Sequence, residues 1–182
     1  MPRNAITISC IITKGIYRYF ILLIVEYFKM VYKKTIGLVS SSGGHFAQLY
    51  LLHNLFKKYN RFWVVTKNVD TQYHLQNERK YYAFSPESRN IINLVKNTRL
   101  ALKILIAEKP AILISTGAGV ALPFFIIGKM LGCRLIFIEP FDLVEYPTVT
   151  GKLLYYITDL FIVQHKKQMQ WYKNAHYFGS VL

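Results

Sequence analysis

Apolar runs of four to six residues alternate along the chain with longer stretches of helical period. Thr35–Ser40 (TIGLVS) reads as a buried strand, and Ser40–His45 turns into a helix ending near Lys58. Arg61–Thr66 and Lys80–Phe84 are predicted as the next strands, with Pro86 marking the turn after them. A long helix is expected over Ser88–Lys109, with Ser88 as its cap and Pro110 as its stop. Ala111–Ser115 is a fourth strand, and Thr116–Gly119 turns into a helix over Val120–Leu131. Arg134–Ile138 is a fifth strand, closed by Glu139-Pro140. A short helix near Gly151–Ile157 and late strands at Leu160–Val163 and His176–Phe178 follow.

Continuous apolar strands joined through helices imply a parallel sheet covered on both faces, an α/β Rossmann-like fold. In such a sheet ligands bind beyond the carboxyl ends of the strands. Three turns are expected to meet there: Ser40–His45, Ser115–Gly119 and Glu139–Glu145.

Composition adds a partner class. The 182 residues are 53% hydrophobic, which excludes a disordered chain, and carry 23 Lys+Arg against 9 Asp+Glu for a net charge of +14. That balance points to an anionic surface, nucleic acid or bilayer. Nucleic-acid motifs are missing, so no nucleic-acid partner is expected. The first 110 residues hold +12 of the +14, and three acids cluster later as Glu139, Asp142 and Glu145. On the long helix, Arg89, Lys96, Arg99 and Lys103 fall within an arc of about 80° at 100° per residue. Ile91, Leu94, Val95, Ala101, Leu102 and Leu105 are predicted on the opposite, packed side, with Ile92 and Ile104 flanking the stripe. The bland reading is a solvated face. The sharper one is a surface for lipid headgroups formed by Arg89, Ile92, Lys96, Arg99 and Lys103.

Residues 1–34 form a separate apolar and basic segment ahead of the domain at 35–182. Lys14, Arg18 and Glu26 interrupt its apolar run, which suits an interfacial helix better than a membrane span. A second reading starts the protein at Met30. Cys10 and Cys133 stand alone, without zinc-ligand spacing, and read as free thiols.

The turn SSSGGH offers close backbone approach at Ser42, Gly43 and Gly44, and the amide groups of a helix N-terminus suit a diphosphate or a developing oxyanion. The same sequence also serves a tight turn that binds nothing. His45 sits in the first helical turn, at the positive end of the helix dipole. It reads as a general base or as a capping or core histidine. Thr116, Gly117, Ala118 and Gly119 repeat the device. Glu139 is a candidate acceptor for sugar hydroxyls, or an ion-pair or cap residue.

LVSSSGGH at Leu38–His45, ISTGAGVALPF at Ile114–Phe124, IFIEPF at Ile136–Phe141 and PTVTGKLLYYITDLFIVQ at Pro147–Gln164 together carry a family resemblance, which YKNAHYFGSVL at Tyr172–Leu182 extends. The chain resembles membrane-associated subunits of split glycosyltransferases. One branch is the anchor subunit of the two-part N-acetylglucosaminyltransferase of N-glycan assembly. Another is the accessory subunit of bacterial capsule and exopolysaccharide galactosyl- or glucuronosyltransferases. The resemblance implies the N-terminal, acceptor-side half of a GT-B enzyme. A separate catalytic subunit would bind the UDP-sugar, so no cofactor and no metal belong to this chain. Gly43, Gly44 and His45 would face an undecaprenyl-diphosphate-linked saccharide at the cytoplasmic face of the inner membrane, for an inverting transfer with galactose as the expected sugar. The alternative is a noncatalytic anchor that recruits and stabilises the catalytic partner. Many members follow the acid with Ser and a nearby Arg. Here Pro140 and Leu143 occupy that region.

Overall fold

The computed structural model describes residues 35–87 and 89–180. The segment 1–34, the alternative start at Met30, Cys10 and the expected cap Ser88 lie outside the described residues. Seven parallel strands form one sheet in the order β3-β2-β1-β4-β5-β6-β7. They are β1 (Ile36–Ser40), β2 (Arg61–Thr66), β3 (Lys80–Ala83), β4 (Ile112–Ser115), β5 (Arg134–Ile138), β6 (Leu160–Val163) and β7 (His176–Tyr177).

Each central strand is apolar on both faces because both faces are covered. Phe62 and Val64 of β2 and Leu135 and Phe137 of β5 join one core layer. Their neighbours Trp63, Val65, Ile136 and Ile138 join the other. The second layer is closed by α1 (Gly44–Leu51) and α2 (His53–Phe56), the single expected helix broken at Leu52. The first is closed by α4 (Ile91–Glu108), α5 (Ala121–Met130) and α6 (Val149–Leu154). A further short helix, α3 (Val69–His74), and a 3-10 turn at Lys166–Gln170 were not expected from the pattern. Asn68 and Thr71 cap α3 reciprocally, and that Asn-x-x-Thr spacing is its readable signal.

The chain leaves β1 toward one face of the sheet and leaves β4 toward the other. β1 and β4 are neighbours, so a crevice opens between their following turns. That crevice positions the site.

The orientation of α4 departs from expectation. Asn90 caps the helix by accepting from the Asn93 amide, and Arg89 precedes it with φ 54°. Ala101 and Leu105 are buried as expected, but Asn93, Asn97 and Ile104 share their face. Ile91 (78% exposed), Leu94, Val95 and Leu102 point outward instead. The physical reason is the loop after β3. Asn97 accepts from the Phe84 amide at 2.8 Å and donates to the Phe84 carbonyl at 2.9 Å, while Asn93 donates to the Pro86 carbonyl at 3.0 Å. No strand ladder serves those loop groups. Unpaired buried amides cost more than exposed aliphatics, so the polar side turned inward.

Candidate functional site

The turns after β1 and β4 meet through His45. Its Nδ1 lies 2.9 Å from the Thr116 carbonyl, and the Thr116 hydroxyl donates to the His45 carbonyl at 2.7 Å. Two residues 71 apart in sequence thus clasp each other across the β1/β4 crevice. Thr116 is fully buried and His45 only partly so. Gly117 has φ 113°, and a Cβ there would stand 3.2 Å from the His45 ring.

Gly43 (φ 77°) and Gly44 are exposed, and a Cβ on either would meet nothing within 4 Å. The open backbone expected there is present. Its amides are less free than expected. The Ser42 amide donates to Thr66 Oγ1 at 2.7 Å, and the Gly43 amide donates to Asp70 Oδ2 at 2.8 Å. Thr66 Oγ1 also donates to Ser42 Oγ at 3.1 Å. A carboxylate of the protein therefore already occupies the anion position at Gly43. Thr66 and Asp70 were missed because they belong to the next strand and helix.

The second turn is largely filled. The Gly117 amide donates to Ser115 Oγ at 3.0 Å, and Ala118 is held at φ 70°, a conformation that costs about 1–3 kcal/mol in a non-glycine residue. Gly119 packs against the loop before α4, where a Cβ would lie 2.6 Å from the Glu87 carbonyl oxygen.

Glu139 does not present its carboxylate to the crevice as the sugar-facing expectation required. It is fully buried and turned under α6. Its oxygens accept from the Thr148 amide (2.7 Å), the Thr148 hydroxyl (3.1 Å) and the Tyr172 hydroxyl (3.1 Å). Burial raises the Glu139 carboxyl above its ordinary range, against those three donors, and burial likewise pushes the Tyr172 hydroxyl up. A Cβ at Gly151 would collide with that carboxylate, so glycine is needed there. Glu139 is a cap-and-loop residue: Thr148, which it holds, caps α6 by accepting from the Gly151 amide at 2.7 Å.

The third turn is tied to the first by amides. Gln48 of α1 accepts from the Phe141 amide at 3.0 Å and from Gln164 Nε2 at 2.8 Å. Gln164 Nε2 reaches the Glu139 carbonyl at 3.0 Å, and Gln168 Nε2 donates to the Pro140 and Leu143 carbonyls. The three turns therefore converge as one polar floor. Among the described residues no His/Cys/Asp/Glu group is placed to hold a metal ion.

The chain carrying this site has relatives. Residues 85–181 match the family model "Oligosaccharide biosynthesis protein Alg14 like". The chain belongs to that family. A Candida albicans relative, UDP-N-acetylglucosamine transferase subunit ALG14, is 24% identical over 177 residues, covering 85% of this chain and 81% of the relative. The human protein of the same name is also 24% identical, covering 81% and 83%. A Debaryomyces hansenii relative of that name reaches 38% over 79 residues, only 34% of its length. Among solved structures, Acinetobacter baumannii MurG aligns with a TM-score of 0.62 at 16% identity, over 74% of this chain and 42% of MurG. UDP-N-acetylglucosamine 2-epimerase from Rickettsia bellii gives 0.65 at 13%, over 82% and 45%. The Alg14-like chain thus has the fold of part of a GT-B protein, spanning less than half of those two chains.

The residues expected at a lipid surface remain apart from this site, on the outer face of α4. Ile92, Lys96, Arg99 and Lys103 are all exposed there. They are joined by Ile91, Val95, Leu102 and Ile106, which the sequence pattern had assigned to packing except for Ile106. Arg89 is exposed just before the helix. Lys96 Nζ lies 5.5 Å from the Phe84 ring centroid. Among the described residues no helix is long and apolar enough to cross a membrane.

Proposed function

We propose that this Alg14-like chain is the acceptor-side subunit of a two-part inverting glycosyltransferase. A partner subunit binds the UDP-sugar. This chain presents an undecaprenyl-diphosphate-linked saccharide at the cytoplasmic face of the inner membrane, within capsule or exopolysaccharide assembly. One observation carries the proposal. His45 stands beside the open backbone of Gly43 and Gly44, clasped across the β1/β4 crevice where this fold class binds its ligands. In this role His45 takes the proton of an acceptor hydroxyl. The oxygen attacks the anomeric carbon opposite UDP, the carbon–oxygen bond to UDP breaks, and UDP leaves with its electron pair. Ser42, Gly43 and Gly44 border the acceptor. Thr116, Gly117, Ala118 and Gly119 support His45 and the crevice wall more than they touch ligand.

The α4 face holds the chain on the bilayer. Five exposed aliphatic residues, Ile91, Ile92, Val95, Leu102 and Ile106, lie beside Arg99, Lys103 and Lys96, with no acid among them. Each such cation near an anionic surface contributes about 1 kcal/mol. Changing Lys96, Arg99 and Lys103 together to Gln is expected to release the chain from phosphatidylglycerol liposomes in flotation. Undiminished flotation refutes this face.

A second reading, a noncatalytic anchor, is favoured by Thr66 and Asp70 already filling the Ser42 and Gly43 amides. The reconstituted pair separates the two readings. It is assayed with UDP-N-acetylglucosamine, the donor in the relatives' names, beside UDP-galactose. Under the catalytic reading His45→Ala lowers transfer by roughly 100-fold or more, the usual scale of acid–base catalysis. Full activation by His45→Ala leaves only the anchor.

A further inference from the structure

The clasp between His45 and Thr116 specifies more than the position of the ring. A backbone carbonyl oxygen can only accept, so the His45 nitrogen 2.9 Å from the Thr116 carbonyl must be the donor. In the neutral imidazole that places the single ring proton on Nδ1 and leaves Nε2 with its lone pair. Nε2 has no hydrogen-bond partner among the described residues, and it is not among their buried unpartnered atoms. Three features hold this state. Thr116 is wholly buried, so its carbonyl cannot turn to solvent. Its hydroxyl donates to the His45 carbonyl at 2.7 Å and fixes the separation of the two backbones. Gly117 lacks the side-chain atom that would stand 3.2 Å from Cε1 and Nδ1, so the ring can approach the turn closely.

We propose that Thr116 is a positioning residue that fixes His45 as the Nδ1-protonated tautomer, so that Nε2 is the nitrogen that receives the acceptor's proton. The inference rests on the acceptor-side reading for its use in catalysis, while the tautomer itself belongs to this chain alone. When Nε2 takes the proton, the positive ring keeps its Nδ1–H bond to the Thr116 carbonyl, and that bond becomes charge-assisted. The carbonyl thereby steadies the charge that forms. Threonine at 116 contributes through its hydroxyl as well as its backbone, which distinguishes it from any residue able merely to complete the turn.

The test is nitrogen NMR on the full chain in anionic nanodiscs, with labelled histidine. The five histidines are sorted by the signal that His45→Gln removes. The expected His45 pattern is a protonated Nδ1 and an unprotonated Nε2. Thr116→Val is expected to bring in the Nε2-protonated form, and Thr116→Ser to restore the wild-type pattern. In the reconstituted pair, Thr116→Val is expected to lower kcat on the order of tenfold, less than loss of the base itself, with the donor KM unchanged and Thr116→Ser recovering the rate. A wild-type ring protonated on Nε2 overturns the proposal. So does a Thr116→Val spectrum identical to wild type. If the tautomer shift appears but His45→Ala transfers sugar at full rate, the catalytic reading falls while the tautomer assignment stands.

Discussion

The turns after β1 and β4 look like copies of one device. Each leaves a buried strand through Ser, Thr and Gly residues, and each opens a helix. The structure uses them oppositely. Around Gly43 and Gly44 the space beside the backbone is empty, whereas Gly119 lies against the Glu87 backbone and Gly117 lies under the His45 ring. Glycine in the first turn leaves access for a ligand. Glycine in the second lets protein approach protein. The same residue type therefore marks a candidate binding surface in one place and a support in the other.

The sharpest way to break this comparison is to add one methyl group to each turn. Gly119→Ala is expected to destabilise the fold by about 1–3 kcal/mol, because backbone at 2.6 Å cannot yield cheaply. Gly44→Ala is expected to leave the melting temperature unchanged or slightly raised, since alanine suits a helix better. Its effect should fall on acceptor KM. Equal losses of melting temperature would erase the distinction.

The turn after β5 extends the comparison through pH. Glu139 carries a carboxyl raised by burial, so the folded chain retains its proton at a pH where the unfolded chain has lost it. That contribution to stability is fully present below the unfolded value near 4.5 and is lost as pH rises through the higher folded value. Glu139→Gln cannot ionise. Its melting temperature relative to wild type should therefore climb as pH rises from 4.5 to 7. A constant difference would mean that folding leaves the Glu139 carboxyl unshifted.

The smallest effect concerns Asp70. Asp70→Asn weakens the bond that occupies the Gly43 amide, costing about 0.5–1.5 kcal/mol, the net worth of one hydrogen bond. It also removes a negative charge from the open turn. If a diphosphate binds there, the acceptor KM falls. An unchanged KM would place the diphosphate elsewhere and leave the turn to the sugar.

Much of this was legible beforehand. The strands Arg61–Thr66, Arg134–Ile138 and Leu160–Val163 stand where the apolar runs put them. The convergence of three turns at the carboxyl ends of the strands also followed, because parallel connectivity forces it. The helix over Ile91–Glu108 was legible as a helix but not as a surface. Its periodicity offered aliphatic residues for burial. Asn93 and Asn97 took that face because backbone groups of Phe84 and Pro86 needed partners. Likewise, Glu139 could be placed after β5 by inspection, yet nothing nearby in sequence revealed that Tyr172 would draw it inward.

The sequence alone therefore determined the alternation of elements, the parallel sheet and the glycine–histidine turn, since each depends on residues within a few positions of one another. Tertiary structure decided which glycines stay open, which side of α4 meets solvent, and which nitrogen of His45 is free. Those outcomes depend on pairings such as His45 with Thr116, 71 residues apart. A hydrogen-bonding group is satisfied by whatever the fold brings to it, and spacing along the chain does not record that partner.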